Sequence, residues 1–547
     1  MTIFGRKREN AFRSPECPLH AQRGAARARL LWEQGLSPVL NRPLGTVLRN
    51  FSRLPAVLLS PALAAFLAAS LLLPGCAPSP RHENLPASVA DLRDFPQSLE
   101  TLASRYGRPE QGRAWSAGPL RGAETVLRSH EDARLDMARF RRSFFEPWDS
   151  TALDSEAVQG LVDELERGPE ERGFASNMHP WSEAAWRKMA DNADLPKLKL
   201  VMRRGLPLRA VTVRATDLRA APSMEPRFSA AQGAGRGWPF DLFQYSRLHA
   251  GSPLAVYHKT RDGAWLLVQS SAAWGWVRAE DAASAGAEFR SRWRKAPLCA
   301  FVHDGVGLKF KALGASGSPA IRPGSYLASA DIGTVLPMPR DGEVLLPMRG
   351  LDGEAYAVTA SFADWEAPSR RSPELYDQLS RPAVRMPLLL TPGNVARVGD
   401  RMMGQPYGWG GLYGNRDCSA MMRDLFAPFG IGLPRNSSKQ AMAGERVSLE
   451  GLSAEGKEKA LLEKARPFRT LIWMPGHIGL YAGQWQGRAA MFHNMWGVRL
   501  SLAGGEEGRL VIGRAVLTGL RPGEERVDVD EERLLIERVK GFTVLGE

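Results

Sequence analysis

The chain has 547 residues and a formal net charge of +13 at pH 7, with 24% charged and 44% hydrophobic residues. At about 150 residues per domain, that length calls for three or four domains, and the composition excludes both a disordered chain and a collagen-like fibre. The charge is lopsided: residues 1–75 hold ten Lys/Arg against three acids, which leaves the remainder at only +6 without a dense basic stripe, so nucleic-acid binding is not expected.

Arg49 and Arg53 precede an apolar run over 56–73 that is interrupted by Pro61. A spanning helix needs about 20 apolar residues. This run is shorter, broken by proline and followed by small residues, so it reads as an export signal. Leu73-Pro74-Gly75-Cys76 resembles the bacterial lipobox. The resemblance implies a lipid on Cys76, with a retained membrane anchor as the alternative. Ala77 rather than Asp follows the cysteine, which in an enterobacterial-type cell would favour the outer membrane, so the expected location is periplasmic and lipid-anchored. The basic stretch before the apolar run is roughly 50 residues long, against about 15 to 30 for a whole signal peptide, so translation is expected to start near Val47 or Leu48.

Residues 77–95 are rich in Pro and Ser and read as a tether. From 98 to 194 the pattern is helical, with a helix start at Ser155 and stops at Pro147 and Gly168, and with nothing that looks catalytic. Near Pro196 the periodicity changes to short alternating strands, with Arg261-Asp262-Gly263 as a hairpin turn and "WGWV" closing the run. This is the texture of a small SH3-like barrel, in whose core Trp265, Trp274 and Trp276 are expected. A second stretch of the same style follows from Cys299 to about Pro368.

The chemistry concentrates after Thr391. "TPGNVARVGDRMMG" has a capping Thr391, Pro392 in the first turn and a stop at Gly404. The glycines of "QPYGWGGLYGNRDCSAMM" permit close approach of backbone to whatever occupies a site. Met421, Met422, Leu425, Phe426 and Phe429 then recur at helical spacing up to Gly430, so Asp417, Cys418 and Ser419 fall at a helix start. Unpaired N–H groups and the helix dipole are expected to lower a thiol there from about 8.5 toward 3.5 to 7.5. Setting aside Cys17 and Cys76, only Cys299 and Cys418 remain, so Cys418 is paired with Cys299, buried and inert, or a working thiol.

The two histidines of this region occur in "HIGLYAGQWQGRAAMFHN". A hairpin centred on Trp485 makes His477 and His493 directly opposed, with Cβ atoms about 4.5 to 5.5 Å apart, one as base and the other accepting its Nδ1–H. A one-residue slip would put them on opposite faces. One Cys and two His lack metal-ligand spacing, so neither metal nor cofactor is expected.

"GQPYGWGG", "DCSAMMRDLFAPFGIGLPRNSS", "HIGLYAG" and "FHN", in this order, resemble the signature of the NlpC/p60 cysteine peptidases, bacterial cell-wall enzymes with a papain-like core. The resemblance covers roughly 375–547, and the upstream layout is similar to a multi-domain lipoprotein branch. It implies Cys418 as nucleophile, His477 as base, His493 as orienting residue and Tyr407 beside the thiol near the oxyanion position. Trp409 joins Tyr407 as a substrate-binding candidate. Asp417 and Ser419 match positions that hold the free amine of a stem peptide, their plain alternative being a helix cap. The implied reaction is hydrolysis of the γ-D-glutamyl bond to a diamino acid, usually meso-diaminopimelate, through a thioester. An amidase or acyltransferase on the same core, and an inert wall-binding scaffold, are the alternatives. The expected architecture is multi-domain α+β: leader 1–76, helical clip 77–195, SH3-like barrels 196–290 and 291–370, and a papain-like NlpC/p60 domain 371–547. The expected partners are a peptidoglycan stem peptide and, through the lipid, a membrane, with the protein itself a monomer.

Overall fold

Four helices make up most of the N-terminal clip. The computed structural model describes residues 89–106, 122–204, 206–313, 324–363, 378–502 and 505–546, so the leader and Cys76 lie outside the described residues. Helix α1 (His130–Asp149) starts where Ser129 accepts the Asp132 N–H, and Pro147 sits inside its last turn instead of stopping it. The cost is small there, since a proline so close to the end removes one backbone bond and little helix follows. Helix α2 (Ser155–Leu165) is capped by Asp154, one residue before the expected start, and α3 (Glu183–Asn192) by Ser182. Helix α4 (Leu195–Arg204) occupies the segment expected to begin the strands. Its Leu195 and Leu198 join the clip core, one turn apart on one helix face.

Strands start at β1 (Leu208–Thr212) and continue through β2 (Thr216–Arg219), β3 (Gln244–Leu248), β4 (Pro253–Lys259), β5 (Trp265–Gln269), β6 (Trp274–Arg278) and β7 (Ala282–Ser284). They form an antiparallel sheet in the order β3-β2-β6-β5-β4-β1-β7. The expected turn joins β4 to β5, with Gly263 at φ +73°. Alternation then sorts the side chains: Leu218, Leu254, Val268 and Val277 fill the barrel, whereas Trp265, Trp274 and Trp276 point outward against Leu161, Trp181 and Trp186 of the clip. The three tryptophans expected in the barrel core therefore fasten the clip to the barrel.

Helix α5 (Ala287–Lys295) straddles the expected boundary at 290. The second strand group holds β8 (Leu298–Phe301), β9 (Val306–Leu313), β10 (Tyr326–Ala330), β11 (Val335–Pro337), β12 (Glu343–Arg349), β13 (Ala355–Phe362) and β14 (Ala383–Arg385), in sheets β10-β9-β13-β12 and β11-β8-β14. Strand β14 lies beyond the expected end at 370, because Ala383 and Val384 are needed to pair with β8 and close its buried edge. Cys299 is buried on β8 and is free, as is Cys418, so the two do not form a disulfide.

The last domain opens with α6 (Pro392–Asp400), capped by Thr391, and ends its turn at Gly404, where φ is +74°. Helix α7 (Cys418–Phe426) follows, then β15 (Glu445–Ser448), α8 (Ala454–Lys464), β16 (Thr470–Met474), β17 (His477–Trp485), β18 (Arg488–Ser501), β19 (Glu507–Thr518) and β20 (Gly541–Val544). The sheet runs β15-β20-β16-β17-β18-β19. Val395, Val398, Met422 and Leu425 of α6 and α7 pack on Leu480, Phe492 and Leu517 of this sheet, which fixes the start of α7 beside the start of β17.

Candidate active site

Asp417 is the N-cap of α7, its carboxylate accepting the Ala420 N–H at 2.8 Å, and Cys418 is the first helical residue, 7% exposed. The glycine loop before it packs on the first barrel. Gly410 and Gly411, at φ +61° and +91°, lie so close to β3 that a Cβ on either would meet Gln244 O at 2.3 Å or Arg247 Cβ at 2.6 Å. Gln244 Nε2 donates to Gly410 O at 3.1 Å, so a strand of the first barrel moulds the loop.

Arg435, which nothing in its sequence context singles out, closes on the two residues that flank Cys418. Its guanidinium donates to Asp417 Oδ2 at 2.5 Å and Oδ1 at 3.1 Å, to Ser419 Oγ at 2.8 Å and to Ser246 Oγ of β3 at 3.0 Å. Asp417 Oδ2 also accepts the Gly410 N–H at 3.1 Å. The Asp417 carboxylate is thus filled by cap, loop and guanidinium, and a substrate amine would have to compete with all three. Trp409 gives its indole N–H to Asp241 O at 3.0 Å and packs edge-on against Phe240 at 5.2 Å, so it belongs to the seam with the barrel. Tyr407 is half-buried beside Trp496, a second aromatic residue that the sequence reading missed, at 5.7 Å. Burial, and then the charges of Cys418 and Asp417, push its hydroxyl well above the usual range.

His477 and His493 meet, with Nε2 of the first 2.7 Å from Nδ1 of the second. The pairing differs from the expected one. Leu480 opposes Phe492 and Tyr481 opposes Met491, and a bulge follows between Tyr481 and Gly483. The turn is at Gln486-Gly487, both at positive φ. The register is therefore two residues away from direct opposition of the histidines, which keeps them on one face and makes them diagonal neighbours. Gly479 leaves them room, since a Cβ there would lie 2.8 Å from His493 Cβ.

Hydrogen-bond partners assign the protons on these rings. The Thr518 hydroxyl donates to Gly519 O at 2.7 Å, so its oxygen accepts from His493 Nε2 at 3.0 Å. His493 Nδ1 is then the acceptor of the His477 Nε2–H, and His477 Nδ1 keeps its lone pair. The nitrogen roles on His477 are the reverse of the expected ones, and Thr518, the last residue of β19, was not foreseen.

The thiol rests against the backbone N–H groups of Ile478 and Ser419. Among the described residues it makes no hydrogen bond to His477, in keeping with catalytic contacts that tighten only around substrate. The expected lowering of the thiol is outweighed. Burial and then the Asp417 charge push Cys418 up to about 12, against the smaller opposite effects of the Ile478 N–H, Arg435 and the Ser419 N–H. Burial, with Arg538, lowers His477 to about 3, and burial, with His477, holds His493 well below its usual range. Cysteine and histidines all rest neutral.

A pH dependence of stability follows. Below about pH 6.5 the unfolded chain binds more protons than the folded one at these two histidines, so stability present above that pH is lost as the pH falls toward 3. Thermal melts should show a midpoint that drops across this window, with a shallower drop in His493→Gln. An equal slope in the two proteins would contradict the assignment.

Arg416 ties the segment before Cys418 to the second strand group directly and to the first barrel through Asp424. It is 8% exposed and donates to Asp424 Oδ2 at 2.7 Å, Asp304 Oδ1 at 2.8 Å, Gln405 Oε1 at 2.8 Å and Ile332 O at 2.9 Å. Asp424 faces His249 Nε2 at 3.2 Å, and His249 Nδ1 faces Thr334 Oγ1 at 3.1 Å. Asn494 Nδ2 donates to Arg416 O at 2.8 Å, tying the same segment to the strand of His493.

Together, a helix that starts at a cysteine and packs on a sheet carrying paired histidines give the last domain a papain-like α+β architecture. The sequence model of the NlpC/P60 family matches residues 404–503, that of the NLPC_P60 N-terminal stabilising domain residues 65–197, and that of the SH3 domain of SH3b1 type residues 226–278. Residues 404–503 thus carry the NlpC/P60 family's domain, with that family's N-terminal stabilising domain and an SH3 domain ahead of it. An NlpC/P60 endopeptidase from Photobacterium damselae subsp. piscicida shares its fold, with a TM-score of 0.66 over 83% of this chain and 98% of its own, at 22% identity. The gamma-D-glutamyl-L-lysine dipeptidyl-peptidase of Bacillus subtilis (strain 168) is 32% identical over 94 residues, which are 17% of this chain and 30% of that enzyme.

Proposed function

We propose that the protein is a peptidoglycan stem-peptide hydrolase that cleaves the bond between γ-D-glutamate and a diamino acid. The observation that carries the reading is the relay Thr518–His493–His477, which leaves His477 Nδ1 as a lone-pair base in the domain whose helix starts at Cys418. Because both groups rest neutral, His477 takes the Cys418 proton as the sulfur attacks the γ-glutamyl carbonyl. The oxyanion forms beside the helix-start N–H groups and the Tyr407 hydroxyl. His477 then returns the proton to the departing amine, giving a thioester, and activates the water that hydrolyses it. The substrate class is supported by the bond named for the Bacillus subtilis relative. Export to the periplasm and a lipid on Cys76 complete the proposal, supported by the leader's charge and apolar run.

Digestion of L-Ala-γ-D-Glu-meso-diaminopimelate should release L-Ala-γ-D-Glu by mass spectrometry, and release of free alanine or no cleavage would sink the reading. N-acetylation of the alanine is expected to change kcat/KM by less than tenfold, since Arg435 already neutralises Asp417. Complete loss on acetylation would return Asp417 and Ser419 to amine recognition. Thr518→Val removes the acceptor that sets the His493 tautomer. It should lower kcat by about 10- to 100-fold with KM little changed, on the scale of other residues that orient a working histidine. Unaltered kcat would remove Thr518 from the relay.

A further inference from the structure

A cavity of about 190 Å³ is lined by Met495 together with Arg499, Arg509, Arg533 and Arg538. Arg499 pairs with Glu507 at 2.7 Å and Asp530 at 3.5 Å, and Arg509 shares Glu507 at 3.0 Å. Arg533 and Arg538 have no carboxylate partner among the described residues, and Arg538 gives one N–H to Pro475 O at 2.8 Å. Four guanidinium groups thus face two carboxylates. Arginine does not relieve such crowding by losing its proton, so the excess charge calls for a bound anion. A second observation points the same way: Arg509 Nε is buried with no hydrogen-bond partner among the described residues.

We propose that this cavity is an oxyanion-binding site that takes a carboxylate or phosphate group between Arg499, Arg509, Arg533 and Arg538. The space admits such a group together with a few waters, at about 30 Å³ per water. Planar guanidinium forks match both anions in a bidentate manner. Burial, and then the charges of Arg509, Arg533 and Arg499, lower Arg538, which shows that the four groups act on one another. Pro475, which Arg538 touches, is two residues before His477, so the site adjoins the base. One source of the anion is the far carboxylate of meso-diaminopimelate, which lysine lacks; that assignment rests on the peptidase reading above. The other is a phosphate of the envelope.

Titration calorimetry with inorganic phosphate on Cys418→Ser protein tests the site without turnover. Saturable binding is expected, weakened at least tenfold by Arg533→Gln and partly restored by Arg533→Lys. Arg533 is exposed, so these changes leave the core intact. Displacement of phosphate by L-Ala-γ-D-Glu-meso-diaminopimelate and not by its lysine counterpart identifies the substrate as the source. Arg533-dependent binding to phosphatidylglycerol vesicles without that displacement identifies a lipid phosphate. No phosphate binding, or binding indifferent to Arg533, overturns the site. Turnover of the unmodified enzyme is scored separately: Arg533-dependent binding without peptide cleavage defeats the peptidase reading alone, and cleavage without such binding defeats this one alone.

Discussion

Cys418→Ala is expected to abolish stem-peptide hydrolysis, lowering kcat by on the order of 10³- to 10⁶-fold, as removal of a nucleophile does in enzymes whose catalytic residues act as a unit. The thiol is 7% exposed, so the substitution also opens a small void, and a thermal melt separates a folded inactive protein from a damaged one. His477→Ala should cost about as much as Cys418→Ala, and the double variant no more than either alone, because each removes the same proton transfer. Turnover in Cys418→Ala above a hundredth of the parent would rule Cys418 out as the nucleophile.

Arg416→Met is expected to have the largest effect on stability. The side chain neutralises Asp424 and Asp304, and without it both carboxylates lose a buried partner, a change worth about 3 to 5 kcal/mol. Burial alone would raise Asp424, but His249 first and then Arg416 and Arg423 outweigh it and hold it well below the carboxylate range. A carboxyl held low adds stability above its unfolded value near about 3.9 and loses it as the pH falls further, so the variant should close part of its stability gap in acid. Urea unfolding at pH 7 and pH 3.5 checks both statements, and a pH-independent gap would contradict the second. Arg416 is two residues from Cys418, so activity should fall in the protein that remains folded.

The helix that starts at Cys418 could be read from sequence because everything that marks it is local: Asp417 as cap, the apolar spacing through Phe429, and Gly430 in the left-handed region at φ +73°. The histidine pair could be read for a different reason. The actual hairpin turns one residue later than assumed and carries a bulge, yet the net offset is even, so the side-chain faces survive. The partners that complete the site could not be read. Thr518 is 25 residues from His493, Arg435 is 18 from Asp417, and Asp304 is 112 from Arg416. Nothing in a strand-end threonine or a loop arginine announces such distant company. Thiol acidity was misjudged because helix-start N–H groups are visible in a sequence and burial is not. The outward tryptophans were misplaced because a two-residue alternation fixes which residues share a face, but not which face meets the barrel interior and which meets the clip.

Gly410 and Gly411 seat the loop before Cys418 on β3 of the first barrel, with no space for a side chain between them. The catalytic domain therefore borrows part of its own shape. A chimera that joins it to an unrelated barrel would inherit the thiol and both imidazoles yet lose the mould that holds their neighbouring loop. Exchange of modules in this architecture is constrained at a backbone-to-backbone seam, so the barrel and the peptidase can be recombined only as a matched pair.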